Sequence, residues 1–274
     1  MQVQNININN SKYINFSGWY RVVKNPNTGE MLYRNDTMWF RDGITDIVDS
    51  LVKQYKDNKH VDTRIYGCSN GSEPLSMYIY MAAKYGLDII SKFSPFNCID
   101  IDQFAIKKAI AGIMPMEYFE FERVLEYTFG KFNEFFNDSL SILTDKHNKK
   151  LFEKTKKFKD GSTEEGICLN LKSEHAQNIN YSVGNILEDV KKINPEELSV
   201  ICARNFIPYI EEETITKLFS DLNNRMKKGS ALILGDYDFS NRDKMWLPDF
   251  LKENLRLNKF SIAKGNSGYV FIKK

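Results

Sequence analysis

The chain has 274 residues, long for an average domain but within the range of one large α/β domain. Hydrophobic residues make up 42% of it and charged residues 27%, which places it among folded globular proteins. With 38 basic against 36 acidic side chains the net charge is +2, so electrostatics give no case for a nucleic-acid partner.

Cysteine usage points the same way. Cys68, Cys98, Cys168 and Cys202 form no CxxC pair and fit no zinc spacing, and His60, His147 and His175 are scattered, so no metal is expected. The start, MQVQNININN, has no charged region followed by an apolar core, and no apolar run of about 18 residues occurs. The expectation is a reduced, cytoplasmic chain without membrane insertion.

In chain order, YRVVKNPNTGEMLYR (Tyr20–Arg34) reads as a hairpin, because two apolar runs flank the turn chemistry Asn25-Pro26-Asn27-Thr28-Gly29. Apolar residues at Ile44, Ile47, Val48, Leu51, Val52 and Tyr55 predict a helix over 44–56. Strands are predicted at Thr63–Gly67, Phe96–Ile101, Asn178–Val183, Leu198–Ala203 and Ser230–Gly235. Helices are predicted at about 73–85, 103–110, 211–227 and 242–255. Strand–helix alternation argues for a parallel sheet covered on both faces.

The closing KFSIAKGNSGYVFIKK predicts an antiparallel hairpin on the sheet edge, turning at Gly265-Asn266-Ser267-Gly268. Between about 117 and 175 the rhythm breaks. Glu117–Leu151 reads as helical, with an aromatic stripe suited to packing rather than to base stacking. It leads into a run, Asp145–Gly166, with seven lysines. That run is either a solvated helix face or a dock for an acidic protein surface.

The first strand ends in Gly67-Cys68-Ser69-Asn70-Gly71, and Ser72-Glu73-Pro74 suits a helix start with Ser72 as cap. Glycines there let a ligand approach the backbone closely. The loop is not GxGxxG, so the dinucleotide fingerprint is not met. Asp100 falls at the end of the next strand, where a carboxylate can accept both hydroxyls of a ribose; the alternative is a helix-capping acid. Asp102 is expected to cap the following helix.

Six ordered segments over roughly 35–240 resemble the CheR family of S-adenosylmethionine (SAM)-dependent methyltransferases, which methylate glutamates of chemotaxis receptors. Thr37-Met38-Trp39-Phe40-Arg41-Asp42 is similar to the family's TxFFRD, and Gly67–Ile79, GCSNGSEPLSMYI, to its GCSTGEEPYSLAM. Cys98–Asp102 resembles ATDID, followed by Lys108–Gly112. Tyr181–Leu187 resembles F-x-x-x-NLL, Ala203–Ile210 resembles CRNVLIYF, and Lys228–Gly235 matches the glycine-led strand. Ser72 replaces the first Glu of GEEP, Asn70 its Thr and Ala203 the Cys of CRN. Gly235-Asp236-Tyr237-Asp238 stands for GHSE. Only about 36 residues precede the first motif, where the family carries a helical domain.

The resemblance implies a Rossmann-like class I methyltransferase fold. That is a mostly parallel seven-stranded sheet with a C-terminal antiparallel hairpin and helices on both faces. It divides the chain into an extension, 1–36, and a SAM-binding domain, 37–274, with a helical, lysine-rich insertion at about 117–175. It implies that Gly67, Cys68, Ser69 and Gly71 contact the methionine part of SAM, that Asp100 holds the ribose, and that Asn185, Ile186 and Leu187 line the adenine. Thr37, Glu73, Ile101 and Asn205 are further cofactor contacts, and Arg41 and Tyr209 sit near the methyl group and acceptor. The expected cofactor is SAM, leaving as S-adenosylhomocysteine. The expected partner is a protein carboxylate, as on a chemoreceptor, or a small-molecule acceptor; the further alternative is a regulatory protein that binds SAM without turnover.

Overall fold

The computed structural model describes residues 20–24, 31–35, 38–112, 114, 116, 118–138, 140–143, 168–240, 244–263 and 269–274. A two-stranded antiparallel sheet joins β1 (Tyr20–Lys24) and β2 (Met31–Asn35), in the register the expected hairpin requires, with Lys24 opposite Met31. Helix α1 (Ile44–Tyr55) buries the six apolar residues its periodicity singled out.

The main sheet has seven strands in the order β5-β4-β3-β6-β7-β9-β8. They are β3 (Asp62–Tyr66), β4 (Phe96–Asp100), β5 (Ile179–Val183), β6 (Ser199–Cys202), β7 (Ala231–Ile233), β8 (Phe260–Ile262) and β9 (Val270–Lys273). β3 to β7 pair in parallel. β9 is antiparallel to both β7 and β8. This is the mostly parallel sheet with a C-terminal hairpin that the class I methyltransferase fold implies. The hairpin differs from expectation in one respect: β9 is interior, and β8 alone forms the edge.

Period-two alternation divides the core. Ile65, Cys98, Val200, Cys202, Ala231 and Ile233 face the layer built by α1, α2 (Ser72–Tyr85) and the aromatic residues of the insertion. Tyr66, Ile99, Ile201, Leu232 and Phe271 face helices Glu212–Arg225 and Leu247–Leu257. Central β6 and β7 are buried at every position, which accounts for their apolar sequences, broken only by Ser199.

The strand order reverses between β3 and β6. Successive strands run outward from β3 to β5, and the chain then returns to lay β6 on the other side of β3. Parallel sheets leave a crevice at such a switch point, beyond the carboxyl ends of the strands.

Two helix expectations are corrected. The stretch from Glu117 is not one long helix: Tyr118–Tyr127 ends where Phe129 and Gly130 both take left-handed backbone angles. Short helices Phe132–Phe135 and Leu140–Leu143 follow. The helix predicted at 242–255 is Leu247–Leu257, with Pro248 in its first turn and a separate short helix, Asp236–Ser240, before it. Most of the aromatic stripe packs inward: Phe121, Phe132, Phe135 and Phe136 are buried. The lysine run, Asp145–Gly166, and both hairpin turns lie wholly outside the described residues.

Phe219, fully buried on helix Glu212–Arg225, anchors the second layer. Phe219→Ala should cost about 3–5 kcal/mol of stability. In urea unfolding the midpoint should fall at unchanged slope; an unshifted midpoint would contradict the layer assignment.

Candidate functional site

The loop after β3 turns tightly. Gly67, Ser69 and Gly71 all lie in the left-handed region, with φ of 67°, 50° and 88°. At Gly71 the glycine is obligatory on a second count, since a Cβ there would lie 2.6 Å from the Tyr181 hydroxyl. Tyr181, on β5, donates that hydroxyl to the Gly71 carbonyl at 3.4 Å.

Gly71, not Ser72, is the cap of α2. Ser72 is the first helical residue. Its hydroxyl and its N–H both go to Asn70 Oδ1, at 3.0 and 3.2 Å. The departures at 70 and 72 therefore form one arrangement: an amide oxygen and a hydroxyl, fully buried, satisfy each other. Cys68 is buried beside Cys98, and burial pushes its thiol well above the ordinary range, so it is no nucleophile.

Asp100 ties the loop to β4. Its Oδ2 accepts the Ser69 N–H at 2.7 Å and its Oδ1 the Asp102 N–H at 2.8 Å. Burial pushes its carboxyl up to about 6, against the pull of those N–H groups. Each oxygen keeps a lone pair for a hydroxyl. Asp102 takes the capping role, accepting from Phe104 and Ala105. Asp102 thus caps the helix as expected, and Asp100 does not.

Ile101 just after β4, Val183 opposite Asp100 on β5 and Phe104 in the first turn of helix Gln103–Ile110 are exposed and make an apolar rim. Asn185 caps the short helix Ile186–Asp189 through Leu187 N–H at 2.9 Å. Ile186 is half-buried. Leu187 is packed into the core layer rather than presented to the crevice.

Glu73 is paired with Arg204. The Nη1–Oε2 distance is 3.0 Å, and the side chains are 3% and 7% exposed. Arg204 also donates Nη2 to the Asp42 carbonyl at 3.1 Å. One guanidinium thus joins the start of α2, the end of β6 and the Arg41 segment. Arg41 itself is half-buried, and among the described residues its guanidinium has no ion-pair or hydrogen-bond partner. The neighbouring carboxylate, Asp42, pairs with Arg123 at 2.9 Å rather than with Arg41. Thr37 lies outside the described residues.

The ends of β6 and β7 are clasped together. Asp238, fully buried, accepts N–H bonds from Gly235 at 2.7 Å and Asn205 at 2.9 Å. Asn205 Oδ1 accepts from Tyr237 N at 3.1 Å. Burial pushes Asp238 up to about 7. Asn205 holds a left-handed φ of 60°. Tyr209 stacks on Tyr237 with ring centroids 6.3 Å apart.

Two buried donors here, Arg204 Nε and Asn205 Nδ2, lack partners among the described residues. Orphaned donors at strand ends fit a ligand carboxylate. Arg204, Asp238, Tyr181 and Tyr237 were not singled out from the sequence. Arg204 had a usable signal, a lone charge closely following an apolar strand. Among the described residues no group of three or more His, Cys, Asp or Glu is placed to hold a metal ion.

No family model matches the chain, and no curated protein matches it. Solved structures similar to it include a TehB-like SAM-dependent methyltransferase from Corynebacterium glutamicum. It is 12% identical, with TM-score 0.42, covering 88% of this chain and 90% of that one. Magnesium protoporphyrin IX methyltransferase from Synechocystis PCC 6803 with bound SAH is 11% identical, with TM-score 0.40 and coverage of 84% and 81%. The [4+2]-cyclase SpnF is 10% identical, with TM-score 0.41 and coverage of 90% and 65%. None of these three is described as a CheR-type enzyme.

Asp238 gives a pH test. Its carboxyl is raised from 3.8 to about 7 by folding, so the folded state favours the protonated form. That contribution is fully present below about 3.8 and is lost as pH rises through about 7. The stability of Asp238→Asn relative to the parent should therefore increase from acid pH to pH ~7.5, read as the gap between urea midpoints. A gap that does not change with pH would contradict a buried, raised carboxyl.

Proposed function

We infer that the chain is a SAM-dependent methyltransferase whose acceptor is a carboxylate, and the resemblance of its motifs to the CheR family points to a protein glutamate side chain. One observation carries the cofactor assignment. Asp100 is bonded directly to the glycine loop through Ser69, which puts a ribose-holding acid and a close-approach backbone in a single crevice at the switch point.

The other residues fit the same ligand. The apolar rim of Ile101, Phe104 and Val183 suits an adenine face. The orphaned Arg204 Nε and Asn205 Nδ2 suit the methionine carboxylate. Glu73 supports the site through Arg204 rather than by touching the ligand. When bound, SAM supplies a methyl group on a sulfonium for in-line transfer to an oxygen nucleophile.

What remains for the protein is alignment. A carboxylate is ionised at neutral pH and needs no general base. Arg41, without a side-chain partner among the described residues, offers a planar fork that matches a carboxylate and fixes its direction. Orientation of this kind can contribute on the order of 7–11 kcal/mol. Tyr209 and Tyr237, half-buried and stacked beyond the ends of β6 and β7, are suited to excluding water there, which would strengthen an Arg41–carboxylate contact. The same aromatic pair favours a second reading, a planar small-molecule acceptor.

Calorimetry with SAM and S-adenosylhomocysteine tests the crevice. Binding should weaken roughly tenfold or more in Asp100→Ala as ribose hydrogen bonds are lost. Binding of neither ligand by the parent chain would refute the cofactor assignment. Arg41→Ala should bind SAM nearly as the parent does but transfer no base-labile methyl label to protein. Normal transfer by that variant would remove Arg41 from acceptor binding, and label recovered only in small molecules would favour the second reading.

A further inference from the structure

Helix Tyr118–Tyr127 belongs to the inserted stretch, some eighty residues from Arg41 in sequence. Two of its side chains, one turn apart, close on the Arg41 segment. Glu120, 1% exposed, accepts the Trp39 N–H at 3.0 Å. Arg123 donates Nη1 to the Phe40 carbonyl at 2.8 Å and pairs through Nη2 with Asp42 Oδ1 at 2.9 Å. From α2, Ser76 Oγ accepts the Phe40 N–H at 2.8 Å, and Arg204 reaches the Asp42 carbonyl.

The backbone is thus gripped on both sides of Arg41. Phe40, at φ 47°, holds a left-handed conformation that a non-glycine residue keeps only where its surroundings enforce it. Arg123 has a second effect. Asp42 is the anion next to Arg41 in the chain, and Arg123 occupies it.

We propose that Glu120 and Arg123 are positioning residues that hold Arg41 ready for an acceptor carboxylate, Arg123 doing so in part by keeping Asp42 away from it. The insertion then sets acceptor affinity through one helix. This rests on the reading of Arg41 as the acceptor's anchor.

The probe is glutarate, a free dicarboxylate, used to protect Arg41 of the full chain from phenylglyoxal, with modification read by peptide mass spectrometry. In the parent, glutarate should protect Arg41. In Arg123→Ala the concentration required should rise about three- to tenfold. Adding Asp42→Asn to Arg123→Ala should restore much of the loss, which a merely structural role for Arg123 would not do. Arg123→Lys keeps the charge pair but not the fork, and should fall between parent and Arg123→Ala. Glu120→Gln should also require more glutarate.

Because Asp42 is exposed, the Arg123 variants should melt within a few degrees of the parent. Parent-like protection in Arg123→Ala and Arg123→Lys alike would overturn the proposal and leave the Arg41 reading standing. An Arg41 that glutarate fails to protect in the parent would overturn the Arg41 reading itself, and the proposal with it.

Discussion

Arg204 leaves the end of β6 with its guanidinium out of water, and three separate stretches of chain meet on it: the start of α2 through Glu73, the Arg41 segment through the Asp42 carbonyl, and its own strand. Removing two charges from solvent is costly, and the pair returns only part of that cost through attraction. Deleting either partner would strand the other, a loss of about 3–5 kcal/mol. A pair of this kind adds little net stability. What it provides is position, because no water-filled alternative lets the three segments drift apart.

Other features of the crevice follow the same pattern. Asp100 and Asp238 are carboxylates held above their ordinary range by burial, each accepting two backbone N–H groups at strand ends. Phe40, Ser69 and Asn205 are non-glycine residues at positive φ: Asn205 follows Arg204 in the chain, Ser69 donates its N–H to Asp100, and Phe40 lies two residues before Asp42, whose carbonyl Arg204 holds. Strain and raised carboxyls gathered at one end of a sheet are expected where geometry serves a ligand rather than stability.

Much of the fold was legible because its determinants are local. α1 followed from six apolar positions, and β6 and β7 from apolar runs that only a doubly covered parallel strand tolerates. The long helix predicted from Glu117 failed on a backbone fact, left-handed Phe129, that composition does not announce. The site was legible where one residue type answers one need: Gly71 for a positive φ without room for a Cβ, Asp100 for a strand-end acceptor. The remainder depends on contacts between distant residues. Ser72 is explained by Asn70, Glu73 by Arg204, and the insertion's helix by its grip on Trp39–Asp42, none of which periodicity or motif spacing encodes.

A structure of the chain with S-adenosylhomocysteine bound tests the central claim most directly. Both ribose hydroxyls should lie within hydrogen-bond distance of Asp100, and the amino-acid carboxylate on Arg204 Nε and Asn205 Nδ2. A ligand bound away from the ends of β3, β4 and β6, or with its ribose turned from Asp100, would contradict it.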